Sequence, residues 1–84
     1  MAIAGAVVVP SNKESEQKLV ERLKQLPTVE VQEIGPKGIA VVLDEKDTDS
    51  LRALSEKIKS WQEVIDLQVA YINWEDTAET GQDA

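Results

Sequence analysis

The sequence predicts an α+β sandwich in which a four-stranded antiparallel sheet carries two helices on one face. Three observations predict it: four runs of β-branched and aliphatic residues, two segments with apolar residues at helical spacing, and the order βαββαβ in which they occur. A chain of 84 residues buries only about 60–65% of its unfolded surface, so a single core must hold all six elements.

The elements follow in order along the chain. Ala2 to Val9 is a Val-rich apolar run closed by Pro10, suited to a strand buried on both faces. Ser11 and Glu14 have the spacing of a capping box, and Leu19, Val20, Leu23 and Leu26 then recur on one helical face until Pro27. Thr28 to Ile34 alternates, with Val29 and Val31 on one side and Glu30 and Gln32 on the other, as a half-exposed edge strand does. Gly35-Pro36-Lys37-Gly38 is turn chemistry, so Ile39 to Asp44 is expected to return antiparallel. Asp47 can cap a second helix whose stripe is Leu51, Leu54, Ile58 and Trp61. From Glu63 to Glu75 the alternation resumes, with Ile65, Leu67, Val69 and Tyr71 on one face and Asp66, Gln68, Ala70 and Ile72 on the other. Right-handed crossovers then put the first and third strands in the centre of the sheet, the split βαβ or ferredoxin-like arrangement. The domain is expected to span residues 1–74, with 75–84 an acidic disordered tail.

Composition excludes much chemistry. The chain has neither Cys nor His, which removes disulfides, thiolate and imidazole metal sites, thiol nucleophiles and imidazole bases. No catalytic residues, metal site or cofactor are expected. Nine basic against 16 acidic side chains give a net charge of −7, which disfavours nucleic acid and anionic lipid and favours a cationic partner such as a basic peptide. Met1-Ala2-Ile3-Ala4 lacks the basic stretch of a secretory signal, and no apolar run reaches membrane-spanning length, so a cytoplasmic protein is expected.

The uncovered sheet face is the candidate site. With the larger residues Ile3, Val7, Val9, Ile39, Val41 and Leu43 turned toward the helices, Ala4, Ala6, Val8, Ala40 and Val42 would form a smooth apolar floor on the other side. Ala70 and Ile72 would extend it, and Glu30, Gln32, Asp66 and Gln68 would border it. Such a surface suits an amphipathic helix with basic residues, or a second copy of the chain in a weak homodimer; the face alone admits either. Other motifs carry less. Gly35-Pro36-Lys37-Gly38 joins strands, unlike the Gly-x-x-Gly loop of KH domains, and reads as a plain turn. Ser15-Glu16-Gln17-Lys18 has Ser-x-x-Lys spacing without the other parts of that catalytic set, and Asp44, Glu45, Asp47 and Asp49 lack the Gly and Glu of a calcium loop. Trp61 reads as core and Trp74 as bordering the open face.

The sequence resembles the NapD family, the cytoplasmic assembly chaperones of periplasmic nitrate reductase. The resemblance is carried by Gly5-Ala6-Val7-Val8-Val9-Pro10, Leu26-Pro27-Thr28-Val29-Glu30-Val31, Gly38-Ile39-Ala40-Val41-Val42-Leu43, Asp47 and Val69-Ala70-Tyr71, in that order and spacing. It implies a protein that binds the twin-arginine signal peptide of the catalytic subunit, NapA, as a helix on the open sheet face and restrains export until the cofactor is loaded. Two other readings share the element order. A dimeric small-molecule sensing domain of the ACT type usually has a glycine-containing ligand loop after the first strand, which is not evident in Pro10-Ser11-Asn12. Acylphosphatase-like hydrolysis needs an arginine in that loop, and Pro10 to Lys13 has none.

Overall fold

The computed structural model describes residues 1–74, Trp74 by its backbone only, so the acidic tail and the place of the Trp74 side chain lie outside the described residues. Six elements follow one another: β1 (Ala2–Pro10), α1 (Ser15–Lys24), β2 (Val29–Gly35), β3 (Gly38–Glu45), α2 (Thr48–Lys59) and β4 (Val64–Trp74). The strands form one antiparallel sheet in the order β2-β3-β1-β4. Two crossover helices are therefore required, because β1 and β2 run parallel with β3 between them, and so do β3 and β4 with β1 between them. Both helices cover the same face, since Leu19, Val20 and Leu23 of α1 and Leu51, Leu54 and Ile58 of α2 enter one core with the inward residues of every strand.

Local chemistry sets the ends of these elements. Asp47 caps α2 by accepting the Ser50 backbone N–H at 2.7 Å, and this hydrogen bond, above all, holds its carboxyl below the usual carboxylate range. The start of α1 differs from the capping box expected at Ser11. Asn12 Oδ1 accepts the Ser15 N–H at 2.8 Å, and the chain turns once before the helix begins. Ser11 is used elsewhere: its N–H donates to the Glu63 carbonyl and its hydroxyl to the Gln62 carbonyl, both at 2.7 Å, which ties the end of β1 to the start of β4. Arg22 joins the two helical crossovers. Its guanidinium lies 4.0 Å from the centroid of the buried Trp61 ring, and its Nη1 is 3.0 Å from Glu63 Oε1.

The strand faces are where structure and sequence part. On β3 the inward row is Ile39, Val41 and Leu43, as expected. On β1 it is Ala2, Ala4, Ala6 and Val8, each at most 3% exposed, so the expected facing of this strand is inverted. The register leaves no ambiguity, because Ala4, Ala6 and Val8 stand opposite Leu43, Val41 and Ile39. The physical reason is volume. α1 presents two Leu and a Val to the sheet and α2 two Leu and an Ile, β3 adds an Ile, a Val and a Leu, and close packing demands that the central partner strand be small. Ile3, Val7 and Val9 accordingly face outward, half-buried.

Of three register shifts on the outer strands, one, between Val9 and Pro10, leaves Ile65 extra at the start of β4, and the other two are bulges that reset the alternation along the open face. In β4, Gly5 pairs with Tyr71 but Ala6 with Val69, leaving Ala70 as an extra residue. Ile72 is thereby moved to the helix side opposite Ala4, and Tyr71 to the open side. In β2, Val31 pairs with Val41 and Glu33 with Ala40, leaving Gln32 extra and turning Glu33 to the open side with Glu30.

Gly35 and Gly38 pair across Pro36-Lys37 to close the β2–β3 hairpin. Gly38 holds φ +144°, and a Cβ there would lie 2.6 Å from the Val8 carbonyl oxygen. Gly38→Ala is expected to cost about 1–3 kcal/mol, from backbone strain and the clash, read as a lower urea midpoint with an unchanged slope. An unshifted midpoint would mean that the hairpin relaxes without disturbing β1.

Candidate functional site

The site is the sheet face turned away from the helices, and its composition follows from the register. Across the centre run Ile3, Gly5, Val7 and Val9 of β1 with Val42 and Ala40 of β3. On the outer strands the same face carries Tyr71, Gln68 and Asp66 of β4 and Glu30 and Glu33 of β2. Asp44, opposite Ile3, closes the end of the face farthest from the hairpin. The floor is thus aliphatic and branched, with an aromatic ring on one flank and carboxylates on the other.

Of the residues expected here, Glu30, Ala40, Val42, Asp66 and Gln68 are on the open face. Ala4, Ala6 and Val8 are not. They lie in the core beneath the protein's own helices. Gln32 and Ala70 are exposed at the two bulges, without register partners. Ile72 is 49% exposed but on the helix side, where with Val69, Ala4, Leu51, Arg52 and Ser55 it lines a groove between α2 and β4. Sequence reasoning missed Ile3, Val7, Val9, Tyr71, Glu33 and Asp44. One signal for part of this was present: a lone Gly within an apolar strand marks a bulge or a close approach, and Gly5 marks both.

Tyr71 lies across Gly5. An ideal Cβ on Gly5 would stand 2.3 Å from Tyr71 Cε2 and 2.7 Å from Cζ, so the absence of a side chain lets the ring pack over the central strand. The ring is nevertheless 53% exposed. It forms a flat, amphipathic surface held from one side and open on the other.

The carboxylates are not equivalent. Asp66 is engaged within its own strand, accepting the Leu67 N–H at 2.8 Å and the Gln68 amide at 3.3 Å. Glu30, Glu33 and Asp44 make no side-chain hydrogen bond or ion pair among the described residues, so their charge is available to a partner. At the hairpin end the face dips into a groove lined by Val7, Glu33, Pro36, Lys37 and Ala40. The arrangement has the character of a binding surface. Among the described residues no cluster of acidic side chains could hold a metal ion, and no helix is long and apolar enough to cross a membrane.

Gly5→Ala is expected to displace the Tyr71 ring while keeping the fold, because the clashing atoms are the far end of a partly exposed side chain. Changed ring resonances with a near-native amide spectrum are the expected outcome. Unmoved ring signals would contradict the close packing of Tyr71 on Gly5.

The family model described as NapD protein matches residues 1–76 of the chain. Among solved structures, the solution structure of the E. coli Tat proofreading chaperone protein NapD superposes with a TM-score of 0.74 at 21% identity, over 98% of this chain and 87% of that one. At that identity the likeness establishes the fold. No curated protein sequence matches significantly.

Proposed function

Given that the chain belongs to the NapD family, we propose that it is a chaperone which holds the twin-arginine signal peptide of the periplasmic nitrate reductase catalytic subunit, NapA, as a helix on its open sheet face. In the cytoplasm, such a complex restrains export of the subunit until its cofactor is loaded. The observation that carries this reading is a half-exposed aliphatic floor of Ile3, Val7, Val9 and Val42, flanked by uncompensated carboxylates. The solved relative is itself described as a Tat proofreading chaperone, which supports the reading.

The chemistry of the two sides matches. A twin-arginine signal peptide carries an arginine pair followed by an apolar segment. The apolar segment would be desolvated against the valines and Ile3, while the guanidinium groups would find Glu30, Glu33 and Asp44 at the border. Ala40 keeps the face low beside Val7, which lets a helix approach closely there, while the Tyr71 ring covers Gly5.

Val7→Glu and Val42→Glu each place a charge in the middle of the floor and face away from the core. Each is expected to weaken binding of the synthetic NapA signal peptide by roughly 30-fold or more in titration calorimetry, the loss typical of a central contact. Unchanged affinity in both variants, with sedimentation showing a dimer that buries the face, would assign the surface to a second copy of the chain.

Affinity for the peptide is also expected to fall as salt rises from low to physiological ionic strength. The border carboxylates are exposed, and their attraction for arginine is screened over about 8–10 Å. A flat salt response would leave Glu30, Glu33 and Asp44 without a part in recognition.

A further inference from the structure

We propose that the open face also fixes the direction in which its helix lies: the basic amino-terminal end over Glu30 and Asp44, and the apolar carboxy-terminal end toward the Pro36-Lys37 hairpin. This rests on the reading of the face as a signal-peptide site and goes beyond it in assigning polarity.

The carboxylates are distributed unevenly along the strands. Glu30 pairs with Val42, and Asp44 is the next outward residue of β3, opposite Ile3, so both mark the end of the sheet remote from the hairpin. Glu33, opposite Ala40, lies two residues from the Gly35–Gly38 closure of the hairpin and lines the same groove as the cation Lys37. At the hairpin end the open face offers Val9 and Pro36, the charge of Glu33 is offset by the cation Lys37 in the same groove, and the other acid, Asp66, already accepts hydrogen bonds from Leu67 and Gln68. Lys46 lies near the acidic end, beside Asp47 at the cap of α2.

A bound helix meets this field with two charge distributions of its own. Its side chains are cationic at the amino-terminal end, and its backbone dipole places about half a positive charge at the same end and half a negative charge at the other. Both favour Glu30 and Asp44 for the amino terminus, and the negative carboxy-terminal end falls toward Lys37. The length is sufficient. Ile3 to Val9 spans about 20 Å of strand, the rise of about 13 helical residues, so an arginine pair and the apolar segment after it fit in one pass.

The test uses the full chain and two synthetic signal peptides, each bearing a nitroxide spin label at one end, with paramagnetic broadening of backbone amides as the readout. The amino-terminal label is expected to broaden Ile3, Glu30 and Asp44, and the carboxy-terminal label Val9, Lys37 and Gly38. Glu30→Lys with Asp44→Lys is expected to lower affinity roughly tenfold, while Glu56→Lys, exposed on α2 away from the open face, changes it by less than about threefold. Reversed broadening, or the same residues broadened by both labels, would overturn the polarity while leaving the face as the binding site. Shifts confined to the α2–β4 groove, or no shifts at all, would overturn the signal-peptide reading and this inference with it.

Discussion

The row of small side chains on β1 is the constraint from which the rest of the molecule follows. Ala2, Ala4, Ala6 and Val8 lie under both helices and opposite the larger inward residues of β3. Had Ile3, Val7 and Val9 pointed inward instead, the central strand would have forced the helices off the sheet, and extra volume in a close-packed interior costs of order 1–3 kcal/mol per site. Strand alternation then makes the outer face the necessary recipient of the larger side chains, because a strand cannot turn one residue without turning all of them. The core and the apolar open face are two consequences of a single choice of parity.

That choice leaves stored binding free energy on the surface. A branched aliphatic side chain gains about 1.5–3 kcal/mol on full burial, and Ile3, Val7, Val9 and Val42 have collected only part of it. A partner that covers them completes the burial. The carboxylates at the border contribute less to affinity and more to selection and direction, since exposed charges act weakly but over distance. A protein with a net charge of −7, with Glu30 and Glu33 on one flank and Asp44 at one end of an apolar floor, is suited to a partner that is cationic at one end and apolar at the other. Tyr71 adds a flat aromatic surface, its ring seated in the space left by the missing side chain of Gly5.

The two bulges place the polar border. Without the extra residue Ala70, Tyr71 would join Leu67 and Val69 under α2 and Ile72 would face outward; without the extra Gln32, Glu33 would point toward the helices. Both bulges lie on the edge strands, where an irregular ladder also discourages pairing with another chain.

The sequence by itself determined the six elements, their order, the strand arrangement and the family, because these rest on local signals: Val-rich runs, helical stripes, the Asp47 cap and the Gly-Pro-Lys-Gly turn. It also carried the existence of an apolar open face, and five of its residues, Glu30, Ala40, Val42, Asp66 and Gln68. Only the tertiary structure decided which half of β1 forms that face. Ala2 to Val9 is apolar at every position, so its pattern has no period from which to read a side, and side-chain size misleads where helices demand small residues beneath them. The bulges were hidden for a related reason: an extra residue is visible only against the register of a neighbouring strand, which no single segment contains.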